Sequence, residues 1–218
     1  DENTLVIFTS DNGPWLSYGT HSGEAHPLRE GKGTALEGGV RVPCVMRWPG
    51  KIPAGVKTSL PAMTIDLLPT IASLTGAELP SRKIDGMNIS RLIFHEEGAN
   101  NPHESYYFYY HQNELQGILS GDGRWKLYLP HTYRSLNGRE GRNDGLPIPY
   151  DQNQMGQELY DLENDISETT DVSAENPEIV AQLLEYAEQA RAELGDKLTE
   201  RAGSGNREPG KVVWDTTE

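Results

Sequence analysis

An aspartate and an asparagine stand side by side at Asp11 and Asn12, a few residues after the apolar run Leu5-Val6-Ile7-Phe8. A carboxylate beside an amide carbonyl offers hard oxygen ligands, which suit Ca2+ or Mg2+ rather than zinc. In open α/β sheets ligands bind beyond the carboxyl ends of strands, and the pair falls at such an end. Taken alone, Asp11-Asn12-Gly13-Pro14 is also ordinary turn chemistry. A second candidate is Lys32, set between two glycines in Arg29-Glu30-Gly31-Lys32-Gly33-Thr34. Glycines let a backbone approach a ligand closely, and lysine is a compact cationic donor for a tetrahedral oxyanion. The Walker spacing G-x-x-x-x-G-K-[ST] is absent, so this is not a P-loop. Taken alone, Lys32 reads as a surface lysine.

The surrounding elements must bring these groups together. Residues 4–10 predict a strand, β-branched and apolar on both faces, as in the centre of a covered sheet. Residues 15–39 are Gly-rich and polar and predict a long ordered loop. A strand is expected over 40–48 and a helix over 64–75, capped by Thr64 or Asp66 with Leu67, Leu68, Ile71 and Leu74 on its apolar face. The polar stretch 94–102 marks a boundary between a unit at 1–95 and a C-terminal subdomain at 96–218. Short strands follow at 105–110, 117–120 and 124–129, with Gly121-Asp122-Gly123 as a hairpin turn. Trp125, Leu127 and Leu129 alternate with Lys126 and Tyr128, which predicts one buried face. Residues 131–156 read as a long polar loop and 158–160 as one more strand. Asn176-Pro177 opens a helix that Gly195 closes, and the last 20 residues are expected to wrap the surface.

Composition excludes several function classes. The 218 residues carry a net charge of −14. Residues 1–150 hold 16 acidic and 14 basic side chains, whereas 151–218 hold 17 and 5, so the acidity is a solvated face of the tail. No basic stripe favours nucleic acid, and no apolar run approaches the roughly 18 residues of a membrane span. The single cysteine, Cys44, excludes an internal disulfide and reads as a small buried residue on a strand. The chain opens at Asp1 and runs almost at once into a core-type strand, which reads as an internal cut; export is left open.

The strings Ser10-Asp11-Asn12-Gly13-Pro14, Pro27 to Thr34 and Glu37-Gly38-Gly39-Val40-Arg41-Val42-Pro43 strongly resemble the second half of type I sulfatases. Arg47-Trp48-Pro49-Gly50, Asp66-Leu67-Leu68-Pro69-Thr70, Ile84-Asp85-Gly86, Trp125-Lys126-Leu127 and Glu158 to Leu162 are similar to the same family, in the expected order. The resemblance implies an α/β fold, an alkaline-phosphatase-like mixed sheet with flanking helices, plus a small C-terminal α+β subdomain with an antiparallel sheet. It implies hydrolysis of sulfate esters, on a sulfated small molecule or sulfated glycan, by a formylglycine made from Cys or Ser. It also implies Asp11 and Asn12 as ligands of Ca2+ (Mg2+ is the weaker fit) and Lys32 as the lysine on the substrate sulfate. Periplasmic, extracellular or lysosome-like export would suit the family. The family's nucleophile string C/S-x-P/A-x-R is absent, and Pro43-Cys44-Val45-Met46-Arg47 does not supply it. The 218 residues alone are therefore expected to be inactive.

His131 and Arg134, entering the loop after Pro130, resemble a segment near the family's substrate mouth and are expected to touch the non-sulfate part of the substrate. His21 and His26 read as loop packing, since nothing pairs them at ligand spacing. Two rival readings stand beside the sulfatase. One is a metal-dependent phosphodiesterase or phosphonate hydrolase of the same superfamily, against which the neutral amide of Asn12 argues. The other is a non-catalytic binding module.

Overall fold

A computed structural model describes residues 2–208. The first strand, β1 (Val6–Thr9), is followed by a 3-10 segment (Leu16–Ser22), irregular chain and a single helical turn, α1 (Glu37–Val40). The next strand is β2 (Cys44–Arg47), which pairs with β1 antiparallel, Val6 opposite Arg47 and Thr9 opposite Cys44. Among the described residues no further strand joins this pair. The expectation of a strand covered on both faces is not met within this chain: Phe8 is 70% exposed, and Val6 and Val45 are open as well. Cys44 is exposed too, contrary to its expected burial. Met46, paired with Ile7, packs in part against Ile89, Leu92 and Ile93, whereas among the described residues the face carrying Val6, Phe8 and Val45 stays open.

The expected helix begins as a 3-10 turn over Thr64–Asp66 and continues as α2 (Leu67–Thr75), ended by Gly76 at φ 72°. Of the two candidate caps it is Asp66 that acts, accepting the Met63 amide at 3.0 Å. The same buried carboxylate takes the Met87 amide at 2.9 Å and meets His103 Nε2 at 2.6 Å. The buried residues of α2 are Pro69, Thr70 and Ala72, whereas Leu68 and Ile71 of the expected apolar face are exposed. Another single turn, α3 (Ser90–Ile93), follows.

Beyond it lie β3 (Ser105–Tyr110), β4 (Glu114–Ser120), β5 (Trp125–Tyr128), β6 (His131–Ser135), β7 (Asp151–Met155), β8 (Glu158–Asp161) and the long helix α4 (Pro177–Leu194). Four strands form an antiparallel sheet in the order β3-β4-β5-β8. Gly123, at φ +80°, closes the β4–β5 turn by donating its amide to Ser120 O at 2.8 Å. Residues 131–156 are not an open loop: β6 and β7 pair antiparallel from His131 opposite Met155 to Ser135 opposite Asp151. Their polar sequence conceals the ladder because only alternate residues such as His131, Tyr133 and Ser135 turn inward.

Both faces of the four-stranded sheet are covered. One packs Ile118, Leu127 and Leu159 against Val180, Leu183, Ala187 and Ala190 of α4. The other packs Tyr106, Leu119, Tyr128 and Tyr160 against Ala35 and Leu36 of the glycine-rich loop, and against Tyr133 and Met155. The expected single buried face of β5 is therefore corrected, since Lys126 and Tyr128 are as buried as Leu127. The run Tyr106 to Tyr109 divides likewise, Tyr106 and Phe108 facing the loop side, Tyr107 and Tyr109 the helix side.

Candidate active site

Three backbone segments cross at close range to place the candidate groups. Gly13 donates its amide to Gly39 O at 3.0 Å, Lys32 to Pro14 O at 2.9 Å and Gly38 to Arg29 O at 2.8 Å. A Cβ on Gly13 would collide with the Gly38 carbonyl. A Cβ on Gly31 would stand 2.5 Å from Pro14 O. Glycine is required at these crossings by contact, so the conformational entropy it loses on folding is offset by what the crossing brings together.

An open cleft of about 820 Å³ results, lined by Asp11, Asn12, Lys32, His21, His26 and Arg41 among others. Asp11 and Lys32 thus face one space from separate segments. Lys32 lies with its ammonium 5.4 Å from the centre of the Trp15 ring, a cation–π contact that limits its swing. Asp11 is exposed, and among the described residues no protein hydrogen bond or ion pair engages its carboxylate. Asn12 is held in its turn by Ser10, whose hydroxyl donates to the Asn12 carbonyl at 2.9 Å. Among the described residues no group of three or more His, Cys, Asp or Glu side chains could hold a metal ion. Asp11 and Asn12 fit Ca2+ as two oxygen donors of the six to eight that ion takes. They are not a complete site.

The loop carrying Lys32 is fastened to the sheet by a buried ionic network that the sequence reading did not single out. Lys126, fully buried, donates to Glu37 Oε1 at 2.6 Å and to Ala35 O at 2.8 Å. Its ammonium also lies 3.9 Å from Glu168 Oε1 and 4.4 Å from the Phe108 ring centre. Glu168 accepts the Glu37 amide at 2.8 Å and the Tyr128 hydroxyl. Arg29 reaches from the loop to Tyr133 Oη at 3.0 Å, Tyr160 Oη at 3.2 Å and Glu168 O at 3.0 Å. Burial works against charge on Glu37, but Lys126, helped by Arg41, outweighs it and holds that carboxyl below its ordinary value. Burial pushes Glu168 up, because its ammonium partner is more than an ångström further away. Burial, with Glu168 alongside, also raises the Tyr128 phenol well above the usual range. The signal for Lys126 in the sequence is a charged residue in an otherwise apolar, aromatic strand, which the alternation rule assigns to solvent.

The structure does not bring His131 into the cleft. It is 4% exposed, its Nδ1 lies 2.6 Å from Leu129 O, and its buried Nε2 has no partner. Burial lowers its pKa, so it is neutral near pH 7. Arg134 also lies outside the cleft lining; its Nε donates to Lys32 O at 3.0 Å, directly beneath the candidate lysine. His21 and His26 do line the cleft, which the packing expectation did not include.

Residues 1–77 match the family model Sulfatase. Human arylsulfatase A is 34% identical over 215 residues, an alignment covering 91% of this chain and 39% of that protein. A sulfatase of Formosa agariphila is 38% identical over 182 residues, covering 81% of this chain and 30% of the relative. The chain spans about two fifths of the length of arylsulfatase A. Among solved structures, the PsFucS1 sulfatase from Pseudoalteromonas sp. aligns with a TM-score of 0.73 at 27% identity, over 88% of this chain and 37% of the other. Ps i-CgsB in complex with k-i-k-neocarrahexaose aligns with a TM-score of 0.62 at 31% identity, over 86% of this chain and 36% of the other. These neighbours bear out the alkaline-phosphatase-like α/β class expected from the motifs. With residues 1–77 matched by the family model, and with nine tenths of this chain aligned to arylsulfatase A, the chain belongs to the sulfatase family.

Proposed function

We propose that the intact protein hydrolyses sulfate esters, with Lys32 as a cationic contact to the sulfate and Asp11 and Asn12 as part of a Ca2+ site. The observation that carries this reading is the meeting of an unpaired carboxylate and a lysine from separate segments in one open cleft. A sulfate ester is anionic, and charge builds on the leaving oxygen as the S–O bond breaks. A fixed ammonium facing that position stabilises the charge without reorganisation, most effectively where water is excluded. The Trp15 ring limits the ammonium's freedom, and the Pro14 carbonyl fixes the backbone it hangs from. Asp11 and Asn12 would hold Ca2+, which supplies Lewis-acid polarisation of the sulfate oxygens when bound. The nucleophile, a formylglycine in this reading, would come from a Cys or Ser outside these residues.

Sulfated glycans are the substrate class best supported, because a neighbour at 31% identity holds a neocarrahexaose. The openness of the cleft toward Tyr18, His21 and His26 suits an extended ligand more than an enclosed one.

The test is turnover of an aryl sulfate by the intact protein, beside its Lys32→Ala variant, with and without a chelator. Lys32→Ala should lower kcat by about 10² or more, the size of losing one transition-state charge contact. Chelation should abolish turnover and added Ca2+ should restore it. Unchanged kcat in Lys32→Ala would remove the sulfate-contact assignment. Restoration by Mn2+ or Zn2+ alone, with preference for a phosphodiester, would favour the phosphodiesterase reading.

A further inference from the structure

We propose that Arg134 is a positioning residue that sets the direction in which Lys32 enters the cleft. The proposal rests on the reading of Lys32 as the sulfate contact. Arg134 stands on β6, more than a hundred residues from Lys32, and directs two donors at one backbone atom. Its Nε reaches Lys32 O at 3.0 Å, and its Nη2 donates to the same oxygen. Such a fork of charge-assisted donors fixes the plane of the peptide bond between Lys32 and Gly33, which a single contact would not.

The neighbours fit that role. Gly33 sits at φ +88°, and a Cβ there would fall within the Arg134 guanidinium. The glycine therefore has two reasons to be there: its backbone conformation and the space its missing side chain leaves for the arginine. On another side, the guanidinium carbon lies 4.7 Å from the centre of the Tyr150 ring. Tyr150 Oη in turn accepts the Ser17 amide at 3.2 Å. Ser17 is buried, and its carbonyl takes the amides of Ile148 at 3.1 Å and Arg142 at 3.2 Å. The segment it belongs to, Leu16–Ser22, carries the cleft-lining Tyr18 and His21. Arg134 thus lies between the backbone of the reactive lysine and the residue that holds the cleft wall.

Among the described residues Arg134 has no carboxylate within ion-pair distance, unlike Arg124, Arg139 and Arg191. Its polar contacts go to one carbonyl and one ring, both of which lead to the cleft. Lysine in its place would keep the charge and lose the fork.

The experiment compares the intact enzyme with Arg134→Met, Arg134→Lys, Lys32→Ala and the Lys32→Ala/Arg134→Met double variant. It measures kcat and KM on an aryl sulfate and the inhibition constant of inorganic sulfate. Arg134→Met should lower kcat by about tenfold or more, as for a reacting group misplaced by a fraction of an ångström, and change KM by less than about threefold. Sulfate inhibition should weaken, and Arg134→Lys should fall between Arg134→Met and the parent. In the Lys32→Ala background the Arg134→Met change should cost less than about twofold, because a residue acting through Lys32 has nothing left to position. Arg134→Met within about twofold of the parent would overturn the proposal. So would an equal loss with or without Lys32, which is the mark of a general structural role. Should Arg134→Met not fold, Arg134→Lys carries the same comparison in the Lys32→Ala background. A Lys32→Ala variant as active as the parent would sink the sulfate-contact reading itself, a different failure from either of these.

Discussion

The two faces of the four-stranded sheet are fastened by different physics. On the helix side, leucines, an isoleucine and alanines meet with no buried ion pair among them, and Leu127, Leu159 and Leu183 are almost fully excluded from water. On the loop side, the same strands present Lys126, Tyr128 and Tyr160 to a segment held by Glu37, Glu168 and Arg29. Hydrocarbon contact is non-directional and tolerates small shifts. Hydrogen-bonded charges tolerate few, since each has an orientation to keep. The first face therefore supplies stability, and the second specifies where one loop lies. That loop carries Lys32.

Replacing one side chain on each face would sharpen or break this contrast. The largest effect is expected from Lys126→Met, which leaves Glu168 buried without a cation and Glu37 with only the more exposed Arg41. Breaking such a pair costs about 3–5 kcal/mol. Urea unfolding of the intact protein should show that loss, and the kcat of the remaining folded enzyme should fall as the loop loosens. Leu183→Ala should cost about 2–5 kcal/mol, the range for a fully buried leucine. Its kcat per folded molecule should match the parent. If Leu183→Ala lowered kcat as much as Lys126→Met, both faces would serve the same purpose and the contrast would be wrong.

The smallest effect concerns His131. Its pKa in the folded protein is lowered by burial from an ordinary value of 6.5. The unfolded chain therefore binds more protons as the pH falls through 6.5, and stability declines there. It is fully present above that value. A His131→Phe variant should lose less stability than the parent between pH 7.5 and 5.5, read from urea midpoints. An identical decline in both proteins would mean that His131 is not the group titrating. A KM that changed between substrates in His131→Phe would support the expected contact of this residue with the non-sulfate part of the substrate.

Much of this was legible beforehand. Asp11, Asn12 and Lys32 stood out only through the family resemblance, since residue type and glycine spacing alone left them as a turn and a surface lysine, while the strands over 105–110 and 158–160 followed from composition. The helix Pro177–Leu194 followed from its Asn-Pro start and closing glycine. Asn176 nonetheless donates its side-chain amide to Val172 O instead of capping the first turn. The β6–β7 ladder was not legible, because Thr132, Gln152 and Gln154 hide a two-residue period under polar side chains. Burial of Cys44 and of Leu68 and Ile71 on α2 was misjudged because apolar character predicts a need for cover, not which layer provides it.

The chain by itself determined which groups are available: a carboxylate beside an amide, one ammonium, and glycines where backbones must touch. Those depend on residue type and near neighbours in sequence. Tertiary structure alone decided that Lys126 turns inward to Glu37 and that Arg134 lies beneath Lys32 rather than in the cleft. Both partnerships join residues about ninety or more positions apart. Long side chains bearing charge can face water or a buried partner from the same strand position, and only the packed neighbour settles which.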